Sequence, residues 1–214
     1  MIGFLKKIWE KFYWFIVLYP ISLAIIVVIS VLINPYFDIS MDAFSDLGLS
    51  IHWGYIFNKG LMYISSPLAL LMSIYMIIKA DSKTRTVGST FLLFSGIMLF
   101  FIGKFPADTF YHDFIAYAYF YSFFFGAVLW GIDRFPDFVL SISISILFII
   151  GQKIDFPSIA YAELYMFALM ILFFFYSFLY YRKEYYHNEI QRIKNKVKRG
   201  DEALITPSPQ MNFE

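Results

Sequence analysis

Tyr13–Ile33 is a run of 21 residues with no charge and only two serines to interrupt its apolar character. As a helix rising ~1.5 Å per residue it reaches across a ~30 Å hydrocarbon core. Five further apolar runs fill most of the remaining chain: Tyr55–Ile78, Val87–Gly103, Phe114–Trp130, Phe138–Ile150 and Ile159–Tyr181. Short polar breaks separate them. In lipid a backbone must satisfy its own hydrogen bonds, so runs of this length are helices. The fold class this predicts is all-α: an integral membrane bundle of six transmembrane helices. The Ser141, Ser143, Ser145 alternation looks like a strand pattern in isolation, but an open strand is not viable in a bilayer, and a helix is expected there.

Composition agrees. Hydrophobic residues make up 60% of the 214 and charged residues 15%, against ~25% charged in an ordinary soluble domain. Six spans leave no length for a separate soluble domain. The chain divides into a six-helix transmembrane domain (1–181), a basic cytoplasmic helix (182–199) and a disordered tail (200–214). Within the basic helix Ile190, Ile193 and Val197 share one side, a pattern suited to lying along anionic headgroups. No cysteine is present, which excludes thiol catalysis and cysteine-ligated metals. A net charge of +1 gives no reason to expect a nucleic-acid partner.

Charge placement predicts orientation. Lys6, Lys7 and Lys11 precede the first run, which reads as a retained signal anchor. Lys79, Lys83 and Arg85 flank the second break, Arg134 lies in the fourth, and further bases follow Arg182. The alternate breaks hold only Lys59, Lys104 and Lys153. Both termini are therefore expected to be cytoplasmic, in the cell membrane. The opposite, outer side collects Asp38, Asp42, Asp46, His52, Asp108, His112, Asp113, Asp155 and Glu163. Asn34–Asn58 is too apolar for a solvated loop and suits short re-entrant or interfacial helices. Pro106 is expected in the first turn of the helix that forms the fourth span, and Pro20 and Pro67 are expected to kink theirs.

Three outer positions carry candidate chemistry. Asp42 and Asp46 stand four apart, so on a helix both carboxylates share one face with Ser45 beside them. Asp108 and His112 have the same spacing, and a carboxylate one turn from an imidazole fixes its tautomer. Glu163 lies about one turn into the sixth run, where an ionisable group marks a functional position. Asp46, His112 and Glu163 can converge from separate elements into an outer-leaflet pocket, with Ser45, Asn58 and Asp42 supplying further polar contacts. Two carboxylates and an imidazole would also suit a divalent metal, the one cofactor this set admits. Each residue has a plainer role too: Asp42 and Asp46 as helix caps, His112 as a headgroup anchor, Glu163 as an ion-pair partner of Lys104 or Lys153.

The segment Asn34-Pro35-Tyr36-Phe37, then Asp42-Ala43-Phe44-Ser45-Asp46-Leu47-Gly48, then Ile56-Phe57-Asn58, resembles an uncharacterised, mostly archaeal family of six-span membrane proteins catalogued as domain of unknown function 998. Phe105-Pro106, His112 and Glu163 fit the same pattern, so the resemblance extends over essentially all six spans. More distantly, Phe-Pro followed by His at the start of a span is similar to the DRAM and Frag-type membrane proteins. Asp42 and Phe44 stand where the family pattern has less charged and aliphatic residues. The resemblance implies a six-helix fold and points to Ser45, Asp46, Asn58, His112 and Glu163. It implies no reaction.

Three functions compete on these residues. A binding or transport protein would take a cation or small polar solute on Glu163 and Asp46. A membrane-embedded, metal-dependent hydrolase or lipid-modifying enzyme would use His112, Asp46 and Glu163 around a divalent ion. A structural or accessory subunit would use the same groups only to join helices. Membrane lipids are expected partners in all three, and binding of a cation or small polar solute leads. Oligomeric state is open.

Overall fold

A computed structural model describes residues 11–198, and within them every regular element is helical. Helix α1 spans Phe15–Ile33 behind a short 3-10 turn, Phe12–Trp14. A 3-10 helix, Phe44–Gly48, interrupts the first long connection. Then follow α2 (Gly54–Lys79), α3 (Lys83–Lys104), α4 (His112–Gly131), α5 (Phe135–Gly151) and α6 (Ile159–Lys198). Five of these segments are long and apolar enough to cross a membrane: Phe12–Ile33, α2, α3, α4 and Ile159–Asn195 of α6. Helix α5 is apolar but has only 17 residues, roughly 26 Å at ~1.5 Å each, the short end of what spans. Lys6, Lys7 and the tail 200–214 lie outside the described residues.

The outward faces suit a lipid solvent. Leu18, Ile21, Ile25, Val28 and Leu32 of α1 are all exposed, the last by 77%, a surface that water would not tolerate at this extent. The inward faces are aromatic. Phe123, Phe173, Phe174 and Trp130 pack ring against ring between α4 and α6. Two buried tyrosine hydroxyls, Tyr19 of α1 and Tyr119 of α4, meet at 2.7 Å and satisfy each other in the middle of that core.

Helices α3 and α4 approach backbone to backbone. A Cβ added to Gly88 would sit 2.6 Å from the Trp130 amide nitrogen, and one on Gly126 would sit 2.8 Å from the Gly88 carbonyl. Glycine is required at both because small residues let membrane helices close to this distance. Pro67 lies in the first turn of the Ser66–Lys79 stretch of α2. Immediately before it, Leu61–Ser65 forms a π-helical turn, and this widening accommodates a residue that lacks an amide donor and crowds the preceding turn. Ser141 and Ser145 are buried and Ser143 exposed, the spacing of a helix rather than a strand.

Helix α6 is one continuous helix through Lys198, roughly 60 Å long at ~1.5 Å per residue. It therefore extends well past the length of a single span, and Ile190 and Ile193 on the extension are exposed.

Candidate functional site

The bundle has two polar ends. At one, the 34–53 connection folds over the start of α6. Its turns are held by its own acids. The Asp38 carboxylate accepts from the Ser40 amide at 2.9 Å and hydroxyl at 2.6 Å, contacts that hold its pKa below the usual carboxylate range. Asp42 accepts from the Asp38 amide at 2.8 Å, and Asp46 from the Ala43 amide at 2.8 Å. Asp42 precedes the 3-10 helix and is not helical, so the two carboxylates do not share a helix face as their spacing suggested. Both fix backbone. The reason is that short acids satisfy turn and helix-start amides better than any partner several residues away.

The connection is also tied across to α6. The Ala160 amide donates to the Asp42 carbonyl at 3.1 Å, and the Ser158 hydroxyl to the Ile39 carbonyl at 2.5 Å. Glu163, half-buried, accepts the Phe44 amide at 2.6 Å. Its partner is thus the free amide opening the 3-10 helix rather than Lys104 or Lys153. On the α2 side, the Asn58 side-chain amide donates to the Gly48 carbonyl at 3.0 Å. A Cβ on Gly48 would lie 2.5 Å from Asn58 Oδ1, so this bond needs the glycine.

His112 is buried and opens α4 after an irregular turn. Pro106 lies in that turn, ahead of the helix and not in its first turn. The His112 Nδ1 is 2.8 Å from the Phe105 carbonyl oxygen. A carbonyl can only accept, so Nδ1 carries the proton and Nε2 is the nitrogen left to accept or donate. The tautomer is fixed by backbone, not by Asp108.

Ser45, His112 and Glu163 line one cavity of about 40 Å³, closed by Phe44, Tyr119 and Phe120 among others. Space of that size holds one or two water-sized groups. Asp42, Asp46 and Asn58 do not border it. Among the described residues no group of three His, Cys, Asp or Glu side chains is gathered to hold a metal ion. Asp46, His112 and Glu163, the set suited to a divalent metal by residue type, are not gathered as such a group.

The other end carries a cluster that the pattern of runs and breaks conceals. Arg85 is 1% exposed, in the first turn of α3. Its guanidinium pairs with the buried Asp137 of α5 and lies 3.3 Å from Asp81. It also donates to the Tyr180 hydroxyl at 2.6 Å and the Trp130 carbonyl at 3.2 Å. The Trp130 and Tyr180 rings lie against it, 4.6 and 4.7 Å from its carbon. The second Asp137 oxygen accepts the Tyr176 hydroxyl at 2.5 Å. Around this centre Arg134 bonds Asp81 at 2.9 Å, while Asp133 receives the hydroxyls of Ser82 and Thr84, which lower its pKa. Ser82 in turn caps α3 by accepting the Arg85 amide at 3.1 Å. A sequence signal existed: Phe135-Pro136-Asp137 has the proline and first-turn acid of a helix start, and Arg85 adjoins an apolar run. An open groove of about 640 Å³ runs beside the cluster, past Arg134, Asp137, Tyr176, Lys183, Glu184 and His187.

No curated protein and no solved structure matches the chain. The several apolar helices make it a multi-pass helical membrane protein. Residues 17–183, which hold both polar ends, match the family described as protein of unknown function (DUF998), and the chain belongs to that family.

Proposed function

We propose that this protein binds a small cation at the 34–53 end, and that Ser45, His112 and Glu163 are its ligands. One observation carries the reading: these three side chains, from three separate elements, border one small cavity at the edge of the apolar bundle. An ionisable group near a span is read as a functional position by default, and Glu163 has one backbone partner with room for another. The cavity's size restricts the occupant to a small cation or a small cationic group rather than a larger polar solute. Asp46, Asn58 and Asp42 act behind it, holding the backbone that presents Ser45. The orientation that suits this role has all six helices spanning, both termini cytoplasmic and the cavity on the outer side, in the cell membrane. It is supported by Lys79, Lys83, Arg85, Arg134, Arg182 and Lys183 at the opposite end.

A thermal-shift titration in mild detergent with sodium, potassium, ammonium and magnesium salts tests the site. Wild type should be stabilised by one of them, and Glu163→Gln should not respond. An unresponsive wild type overturns the reading. A structural role is the second possibility, favoured by the Phe44 amide bond, which makes Glu163 a clamp between the 34–53 connection and α6. Orientation is tested separately in this cysteine-free chain. Lys153→Cys should react with an impermeant maleimide in intact cells and Lys83→Cys should not.

A further inference from the structure

Helix α1 presents Pro20 and Ala24 one turn apart, and these small side chains leave a gap against Ile171 and Phe174 of α6. The gap forms two adjoining apolar spaces of about 250 and about 140 Å³ that share these four residues. The lower space begins at Ile16 and the upper one reaches Phe44. Its upper walls, Leu23, Val27, Phe44 and Phe167, are also walls of the cavity that holds Ser45, His112 and Glu163. Phe44 and Phe167, with ring centres 6.5 Å apart, stand at the junction. A lipid-facing apolar groove thus runs along the helices and shares its upper walls with the cavity that Ser45, His112 and Glu163 border.

We infer that the ligand of this site is a single-chain amphiphile with a small ammonium head, which enters sideways from the bilayer between α1 and α6. This rests on the cation reading above and names the molecule that carries the charge. The chain lies along Pro20 and Ala24. The head passes Phe44 and Phe167 and sets its N–H donors toward the Glu163 carboxylate and the Ser45 hydroxyl. Both features of the site are needed for this choice. A free ion would have no use for the groove, and a two-chain phospholipid carries a phosphate head too large for a cavity of about 40 Å³.

The probe is a long-chain alkylamine with a photoactivatable diazirine in mid-chain, added to the protein in phosphatidylcholine nanodiscs. Cross-linked peptides are then mapped by mass spectrometry. Labelling should concentrate on residues 16–28 and 164–175 and fall at least ten-fold with excess unlabelled alkylamine. Ala24→Trp, at a position open to the groove and outside the packed core, should abolish that labelling while leaving the small-cation thermal shift intact. An alkyl alcohol of the same length should compete at least ten-fold less well. Labelling spread evenly over the lipid-facing helices, or undiminished in Ala24→Trp, overturns the amphiphile. If the cation shift persists in that case, the cavity reading stands; if wild type shows neither response, both fall.

Discussion

The two polar ends of the bundle each bring ionisable side chains together from separate helices and connections, and partner them differently. Around Arg85 the donors and acceptors meet one another: its guanidinium reaches two carboxylates, a hydroxyl and a carbonyl, and both Asp137 oxygens are taken. At the 34–53 end, Glu163 takes one backbone amide and His112 Nδ1 one backbone carbonyl, and with Ser45 they keep their remaining polar positions beside a small space. A saturated network fixes helices, because any movement leaves a buried charge unpaired. Groups with positions left over beside a space keep capacity for a ligand. The more deeply buried charge, Arg85, thus sits in a filled network, while the half-buried acid, Glu163, is the one on which the proposed binding rests.

The sharpest way to break that contrast is to cut the saturated end. Arg85→Met leaves Asp137 buried without its cation and should destabilise by about 3–5 kcal/mol, the cost usual for one widowed partner of a buried pair. Arg85→Met with Asp137→Leu should recover most of the loss in thermal unfolding, since an apolar pair in the same space is often neutral. Arg85→Lys should not rescue, because an ammonium cannot reach Asp137, Tyr180 and Trp130 at once. If Arg85→Met unfolds at the wild-type temperature, the network is not what joins α3, α5 and α6.

Next in size is the helix contact beneath it. Gly88→Ala would drive a methyl into the Trp130 backbone, where nothing flexible can yield, and should cost about 1–3 kcal/mol. The strain is expected as a lower unfolding temperature without loss of the cation response at the other end. Loss of that response would show that the two ends are coupled through the α3–α4 contact.

Glu163→Gln should have a much smaller effect on stability, within about 1 kcal/mol, because a carboxamide oxygen still accepts the Phe44 amide. Its effect on binding should be complete. The reverse outcome, a large loss of stability with binding retained, would move Glu163 to the structural side of the comparison.

The helices were legible because apolar length is a direct signal for lipid-spanning structure, and α1 was read almost to the residue. The saturated end was hidden by the same signal. Runs beginning at Val87 and Phe138 leave Arg85 and Asp137 just outside, where each reads as an ordinary loop charge, yet the helices begin earlier, at Lys83 and Phe135, and carry both inside. At the other end the sequence pointed to Ser45, His112 and Glu163, which border one cavity, and also to Asp42, Asp46 and Asn58, which do not. Spacing alone cannot separate these groups. A four-residue interval means a shared face only in a helix, and the backbone around Asp42 is a turn that its own carboxylate helps to make.

The smallest effects should come from two acids that look alike on either side of the comparison. Asp133 and Asp38 are exposed carboxylates that accept hydroxyl hydrogen bonds, and both have pKa values below the ordinary range for that reason. A depressed folded-state value means the native state binds the proton less readily than the unfolded chain. The stabilisation is therefore fully present above the unfolded value of ~3.9 and is lost as pH falls through the lower folded value. Unfolding temperatures of wild type, Asp133→Asn and Asp38→Asn, followed from about pH 6 to about pH 3, should show a small wild-type advantage that shrinks on acidification. Both substitutions should behave alike, and neither should alter the cation response. A different result at Asp38 alone would mean that the acids holding the 34–53 turns also feel the ligand, and the boundary between clamp and site would have to be drawn wider than Ser45, His112 and Glu163.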